Sequence, residues 1–136
     1  MIVSAVDTNV LLDLLTDDSR FSEKSVEALE RAGAAGVLVI CDIVYAELCV
    51  HFPTQAICDK FLDDNAIRVE GLARSAGFLA SRIWKKYRSA GGRRSRILPD
   101  FLIGAHAQTH ASRLVSRDRG FYARLFPELI VIDPSR

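Results

Sequence analysis

The stretch IVSAVDTNVLLDLL, residues 2–15, contains an apolar run that ends abruptly at the carboxylate of Asp7. Its first half suits a short buried strand, and its second half has apolar residues at helical spacing after Thr8 and Asn9, two residue types that cap helices. Asp7 is therefore predicted to lie where a strand becomes a helix. Ligands of open α/β sheets bind beyond the carboxyl ends of the strands, so the position suits a functional acid, although a capping aspartate is the commoner role.

The composition, 49% hydrophobic and 26% charged, is that of one globular domain spanning residues 1–136. The N-terminal apolar stretch carries Asp7 and Asp13 and has no basic leader, so we expect neither a signal peptide nor a membrane span, and a cytoplasmic protein. The three cysteines include no Cys-x-x-Cys pair, which argues against a zinc knuckle or a disulfide framework and predicts buried thiols.

Charge is distributed unevenly along the chain. Residues 1–70 carry 5 Lys and Arg against 13 Asp and Glu, whereas residues 71–136 carry 13 against 4, which gives −8 and +9. Between Gly71 and Pro99 there are eight cations and no acid. This asymmetry predicts a face that meets a polyanion, although a solvated surface is the usual meaning of such a run. The candidate phosphate contacts, which become candidate RNA contacts under the family resemblance given below, are Lys85, Lys86, Arg93, Arg94 and Arg96.

Apolar runs alternate with helical patterns along the rest of the chain. Short runs predict further strands at 37–40, 66–69, 114–115 and 129–132, and a polar turn is predicted at 17–22. Gly33 and Gly36 are expected to end the second helix, Asp42 and Thr54 to cap the next two, and Pro99 to open a largely buried one. The alternation predicts a three-layer α/β/α fold with a central parallel sheet of about five strands, whose carboxyl ends share one edge.

Three further acids lie where they could join Asp7. Asp118 follows a predicted strand, Glu47 lies in an apolar helix, and Asp100 opens a helix directly after the basic stretch. Glu47 is equally consistent with a solvated helix face or a partly buried carboxylate that needs a partner. Asp100 reaches the edge of Asp7 and Asp118 only if the approach to its helix folds back over the sheet. His106 and His110, four residues apart, have no third ligand at suitable spacing, so a zinc site there is disfavoured.

The chain contains four motifs in this order: Asp7-Thr8-Asn9-Val10-Leu11-Leu12, Ala46-Glu47-Leu48, Asp100 in PDFLIGAHA, and Ser116-Arg117-Asp118 before Gly120-Phe121. Their order and spacing resemble those of PIN-domain ribonucleases and, within that family, of the VapC toxins of bacterial toxin–antitoxin pairs. The resemblance spans nearly the whole chain. It implies that Asp7, Glu47, Asp100 and Asp118 form one catalytic, metal-binding cluster, supported by Asn9 and Ser116. Ser116 stands where the family usually has threonine, and it keeps the hydroxyl.

The implied chemistry agrees with the residue types. Oxygen-only ligands select hard cations, so Mg²⁺ or Mn²⁺ is the expected cofactor. The resemblance implies an endoribonuclease that hydrolyses phosphodiester bonds in cellular RNA, acts as a toxin, forms a homodimer and is silenced by a VapB-like antitoxin. The sequence has no Ser-His or Cys-His motif that would indicate a mechanism with a covalent enzyme intermediate.

Two other classes stay open. A catalytically inactive PIN fold could serve as a module that binds RNA or protein, although all four acids are present. A metal-dependent phosphatase of the haloacid-dehalogenase type also begins with an acid at a strand end, but it requires a second aspartate two positions later, where Asn9 stands. Cleavage of RNA or of small phosphate monoesters in the presence of metal would separate these classes.

Overall fold

The fold is that of a computed structural model, which describes residues 1–16, 20–94 and 96–136. These residues form five strands, β1 (Ile2–Val6), β2 (Gly36–Ile40), β3 (Ile67–Val69), β4 (Arg113–Val115) and β5 (Ile130–Ile132). Seven helices complete the described part: α1 (Thr8–Leu15), α2 (Ser22–Ala35), α3 (Asp42–Cys49), α4 (Gln55–Asp64), α5 (Arg74–Ser89), α6 (Leu98–His110) and α7 (Arg119–Leu125). Of the turn predicted at 17–22, residues 17–19 lie outside the described residues.

The strands form one sheet in the order β3-β2-β1-β4-β5, and every neighbouring pair is parallel. The five-stranded parallel sheet predicted from the alternation of elements is thereby confirmed. The chain moves from β1 outward to β2 and β3, and then returns to the other side of β1 with β4. A crevice at the carboxyl ends of β1 and β4 is the place where such sheets bind ligands, because the strand order reverses there.

The core explains why the apolar runs became these elements. Val10 and Leu11 of α1, Ile40 of β2 and Val115 of β4 are fully buried. Helix α6 is buried along most of its length, as its nearly all-round apolar pattern predicts. It packs closely, because a Cβ atom at Gly104 would lie 2.5 Å from the ring of Phe126. No described helix is both long and apolar enough to cross a membrane.

Several predicted helix ends differ from the structure. The N-cap of α1 is Asp7, the capping role weighed for it from the sequence, and not Thr8 or Asn9. Helix α2 continues through Gly33 but ends at Ala35 with Gly36 as its C-cap, so of the two glycines only Gly36 ends it. Asp42 is the first residue of α3 and follows Cys41 at the cap, so it does not cap the helix. Tertiary contacts override weak local signals at helix ends.

One predicted helix end is confirmed, since the Thr54 side chain caps α4 by accepting from the Ile57 N–H at 3.2 Å. Of the cysteines, Cys41 and Cys58 are buried as predicted, and Cys49 is partly exposed with its Sγ 3.4 Å from the Sγ of Cys58.

Candidate active site

Asp7 lies at the carboxyl end of the central strand and is only 6% exposed. Its Oδ1 accepts from the Thr8 N–H at 2.8 Å, and its Oδ2 accepts from the Ser116 hydroxyl at 2.7 Å. Burial raises the pKa of Asp7 to about 6; the charge of Glu47 also raises it, while hydrogen bonds with Ser116, Thr8 and Tyr122 oppose the rise. A carboxylate held rigidly but short of positive charge is suited to receive a cation.

Glu47 comes from α3, which follows the neighbouring strand β2. Its side chain is exposed, and its Oε1 accepts from the Thr8 hydroxyl at 2.6 Å. Thr8 thus ties α1 to α3 and holds Glu47 beside Asp7. Of the two interpretations left open by the sequence, the structure shows an exposed carboxylate that nevertheless has a partner at the sheet edge.

Ser116 and Asn9 connect Asp7 with the loop that carries Asp118. The Ser116 hydroxyl, fully buried, donates to Asp7 and accepts from the Asp118 N–H at 3.0 Å. The Asn9 amide lies 3.5 Å from both Asp7 Oδ2 and Ser116 Oγ, a weak contact, and its oxygen accepts from the Arg117 N–H at 3.2 Å. The supporting role that the resemblance implies for Asn9 and Ser116 corresponds to contacts in the structure.

Asp100 lies in the first turn of α6, where its Oδ2 accepts from the Ile97 N–H at 3.1 Å. From there its charge acts on Tyr122 of α7. The pKa of Tyr122 is raised well above its usual value, first by burial and then by the charges of Asp7, Asp100 and Asp118. The charges of three of the four predicted acids thus act on one buried phenol, and the charge of Glu47 acts on Asp7.

Arg96 forms an ion pair with one of the four acids, Asp118. Its guanidinium forms two hydrogen bonds with Asp118, Nη1 to Oδ2 at 2.5 Å and Nη2 to Oδ1 at 3.0 Å. It also lies over the ring of Phe121, 4.3 Å from the centroid. The hydrogen bonds to Asp118 raise the pKa of Arg96, and the charges of Asp118 and Asp100 add to the rise. Asp118 is thus already bound to a cation.

A groove of about 850 Å³ adjoins Arg96 between the end of α5 and the end of α7; we call it the basic groove. It is lined by Ile83, Lys86, Tyr87, Ala90, Gly91, Gly92, Arg93, Arg96, Arg124, Leu125 and Pro127. Of the five predicted RNA contacts, Lys86, Arg93 and Arg96 line this groove, whereas Lys85 and Arg94 are exposed outside its lining. No carboxylate is among the lining residues.

The donor chemistry of the acids fits a hard divalent cation, because all four offer carboxylate oxygens and Asp7 lacks compensating charge. Within residues 1–16, 20–94 and 96–136, no three His, Cys, Asp or Glu side chains are grouped closely enough to hold a metal ion. The two histidines have backbone partners, since His106 Nε2 lies 3.0 Å from the Glu70 carbonyl and His110 Nε2 accepts from the Ala73 N–H at 3.4 Å.

Sequence reasoning missed two residues of this region. Tyr122 follows Asp118 by four residues, a helical spacing that would have placed it beside the acid, but its aromatic character suggested only packing. Arg124 lines the basic groove from α7, far in sequence from the acid-free stretch. Only the pairing of distant helices brings it there, so the sequence held no signal for it.

The comparisons with known proteins agree with this architecture. The family model of the PIN domain matches residues 5–125. Among solved structures, the chain is similar to VapBC2 from Rickettsia felis bound to a promoter DNA fragment, with TM-score 0.75, 18% identity and coverage of 97% of this chain and 98% of that one. A toxin–antitoxin complex from Klebsiella pneumoniae gives TM-score 0.70, 22% identity and coverage of 96% and 97%.

VapC20 of Mycobacterium tuberculosis, a toxin that cleaves the sarcin–ricin loop, gives TM-score 0.60, 17% identity and coverage of 93% and 98%. At these identities the likeness is one of fold. Among curated proteins none matches this sequence. The family match covers most of the chain and includes Asp7, Glu47, Asp100 and Asp118, and we therefore conclude that this protein belongs to the PIN domain family.

Proposed function

We propose that this protein is an endoribonuclease that depends on Mg²⁺ or Mn²⁺ and acts as the toxin of a toxin–antitoxin pair. The observation that carries the proposal is a chain of hydrogen bonds at one sheet edge, which links Glu47, Asp7 and Asp118 through Thr8 and Ser116 and lies beside a groove lined by cations. Asp7 and Asp118 follow adjacent strands, Glu47 is held by Thr8, and Asp100 opens α6 near enough for its charge to act on Tyr122. The fold shared with VapBC toxins supports the same conclusion.

In this proposal Asp7, Glu47, Asp100 and Asp118 hold the cation. A bound divalent ion supplies a water of lowered pKa and neutralises charge on the phosphate oxygens. The chain's own groups prepare the site: Ser116 and the Thr8 N–H fix the orientation of Asp7, and Thr8 Oγ1 fixes Glu47. Burial around Asp7 keeps bulk water from competing for its oxygens.

The proposed partners are an RNA substrate, a second copy of the chain and a VapB-like antitoxin. The solved structures with this fold include VapBC complexes. We place the antitoxin against the helix of Glu47 and the long helix that follows Leu72, α3 and α5. Large apolar side chains are exposed there, with Val50 just after α3 81% and Phe78 of α5 56% accessible, and Ile57 of the intervening α4 is 48% accessible. Exposed apolar groups near a charged site suit a partner segment with an apolar helix.

Cleavage by purified protein tests the proposal. Wild-type protein with Mg²⁺ or Mn²⁺ should cut cellular RNA, and chelation should stop it. Asp7→Asn and Asp100→Asn keep the side-chain size but remove a charged ligand, so cleavage should fall by orders of magnitude while the fold persists. Asp63→Asn, an exposed acid on α4, is the matched control and should cleave normally.

Growth of host cells provides the second readout. Induction of the wild type should arrest growth, Asp7→Asn should not, and co-expression with an adjacent small reading frame should restore growth. Wild-type cleavage rates in Asp7→Asn or Asp100→Asn would refute the site assignment. RNA binding without any cleavage would support the inactive binding module, and hydrolysis of small monoesters alone would support a phosphatase.

A further inference from the structure

The basic groove combines two features that suit a single nucleic-acid strand. Its cations are Lys86 from α5, Arg93 and Arg96 from the following loop, and Arg124 from α7. Ile83, Tyr87, Leu125 and Pro127 add apolar surface. Single strands bind where cations follow the phosphates and apolar or aromatic groups meet the bases.

The positive charge of the groove is available to a ligand. The ion pairs of the described residues include neither Lys86, Arg93 nor Arg124, so none of these three is neutralised by an acid of the chain that the structure describes. Arg96 is the exception, because it is bound to Asp118. The groove therefore has three unpaired cations and one that is shared with the acids.

One wall of the groove is held in place by Tyr87. Its hydroxyl donates to the Arg93 carbonyl at 3.0 Å, and its own carbonyl accepts from the Gly92 N–H at 2.9 Å. The loop approaches so closely that a Cβ at Gly92 would lie 2.4 Å from the tyrosine ring. Since Arg93 is fixed by its backbone, the groove is preformed and does not need a ligand to assemble it.

Arg96 lines the groove and contacts Asp118 at the same time. The two side chains are 31% and 33% exposed, so solvent and solutes reach both. A guanidinium binds a phosphate through the same planar pair of donors that it uses for a carboxylate. A phosphate in the groove is therefore a direct competitor of Asp118 for Arg96.

We propose that Arg96 is a positioning residue that couples the groove to the acids. Without nucleic acid it neutralises Asp118; when an RNA strand binds along Lys86, Arg93 and Arg124, a phosphate draws the guanidinium away and leaves the Asp118 carboxylate free to bind a divalent cation. This inference rests on the proposed function, because it takes the four acids as the cation site. Beyond the proposed function, it assigns the basic groove as the site of the RNA strand, includes Arg124 among the phosphate contacts, and has Arg96 exchange between the Asp118 carboxylate and an RNA phosphate.

The first test measures where the strand binds. Binding of a fluorescent single-stranded RNA oligonucleotide is titrated with salt in the Asp7→Asn background, where the strand stays intact. Arg124→Gln and Lys86→Gln should weaken binding, and each should lower the log–log salt slope by about 0.7 per lost phosphate contact. Arg74→Gln is the matched control. It removes one exposed charge on α5, about 18 Å from Lys86 along the helix axis, and should leave the salt slope unchanged.

The second test measures the exchange itself by a double-mutant cycle in the same background without divalent cations. Asp118→Asn removes the competitor for Arg96 and should tighten RNA binding more than Asp100→Asn, which removes an equal charge. With Arg96→Gln present, the extra gain of Asp118→Asn should disappear. Equal gains from both aspartates, or a gain that persists in Arg96→Gln, would overturn the exchange.

The third test measures affinity for Mn²⁺ alone by calorimetry, with no RNA. Arg96→Gln should bind Mn²⁺ about fivefold or more tightly than the wild type, the size of a modest coupling between two sites. Arg93→Gln removes the same charge from the groove without touching the Asp118 pair, and its effect should be clearly smaller. Equal effects of the two substitutions would show only a general field and would contradict the proposal.

The outcomes separate this inference from the proposed function. If the wild type cleaves RNA and the groove variants bind and cleave it equally well, the groove is not the RNA-binding site, but the protein is still a nuclease. Absence of both cleavage and RNA binding would overturn both. If a polyglutamate peptide bound with dependence on Arg124 while RNA did not, the groove would be a protein-binding site and the inference would be wrong.

Discussion

Two arginine–aspartate pairs involve the loop after β4, which carries Arg117 and Asp118, and they have similar local chemistry. Arg96 binds Asp118 through two hydrogen bonds, and Arg117 binds Asp13 at 2.8 and 3.1 Å in the same manner. Each guanidinium also lies over a phenylalanine ring, at 4.3 and 4.2 Å. The pairs differ in burial, because the Asp13 side chain is 5% exposed and that of Asp118 is 33% exposed.

The buried pair serves the fold. Asp13 also accepts from the Ser25 hydroxyl at 2.7 Å, so α1, α2 and the loop after β4 are joined at one carboxylate. The half-exposed pair lies on a groove where another anion can replace the carboxylate. Similar pairs of hydrogen bonds therefore give a fixed structural contact in the Arg117–Asp13 pair and an exchangeable contact in the Arg96–Asp118 pair. Burial and access to a competing ligand account for the difference.

The largest expected difference between the pairs is in stability. Arg117→Gln leaves a buried charge on Asp13 without its cation and should lower the free energy of unfolding by about 3 kcal/mol. Arg96→Gln leaves a partly solvated carboxylate and should change it by less than about 1 kcal/mol. Urea denaturation of the two variants at neutral pH measures both values. Equal losses would show that burial does not distinguish the pairs.

Asp7 sharpens the comparison because it is as buried as Asp13 but receives its hydrogen bonds from neutral donors. Its pKa is about 6 in the folded protein against 3.8 for the free side chain. The stability that this group contributes is therefore fully present below pH 3.8 and is lost as the pH rises through about 6.

Asp7→Asn should consequently stabilise the metal-free protein at pH 7.5 by about 2 kcal/mol, while it removes cleavage. The measurement is the unfolding free energy of wild type and variant from pH 4 to pH 8 in the presence of a chelator. The difference in unfolding free energy between the variant and the wild type should increase as the pH rises from 4 to 8. Parallel curves would show that ionised Asp7 carries no burial penalty.

The smallest expected effect comes from two buried serines, one in each region. Ser116 donates to Asp7 and Ser25 donates to Asp13, both at 2.7 Å. Each serine-to-alanine change should cost about 1 kcal/mol of stability. Only Ser116→Ala should also shift the pH profile of cleavage to higher pH, because the Ser116 hydrogen bond lowers the pKa of Asp7. A shift in Ser25→Ala as well, or in neither, would contradict the assignment.

The sequence was sufficient for the parts that depend on short-range pattern. Apolar runs located all five strands to within one or two residues, and the rule on strand ends put Asp7 and Asp118 at one edge. The helix caps were less predictable, since the structure uses Asp7 and Cys41 where other residues were expected. Caps depend on where tertiary packing stops the preceding strand.

Long-range geometry was beyond the sequence. Three interactions join elements that are distant along the chain: the charge of Asp100 acting on Tyr122, the hydrogen bond of the Thr8 hydroxyl to Glu47, and the pairing of Arg96 with Asp118. Arg124 could not be separated from other surface arginines until α5 and α7 were seen to share a groove. Residue types showed which charges exist, and only the fold showed which of them are already neutralised.

The hydrogen bond between Ser116 and Asp7 joins residues separated by 109 positions. During synthesis, the first hundred residues contain three of the acids but not the strand that completes the crevice, since β4 begins at Arg113. In the proposed nuclease, catalytic competence would therefore require β4 and the loop that follows it, and a fragment that stops before Arg113 would lack the support of Ser116 for Asp7. A host would thus have the time in which the residues before β4 are made to provide an inhibitor before any active enzyme exists.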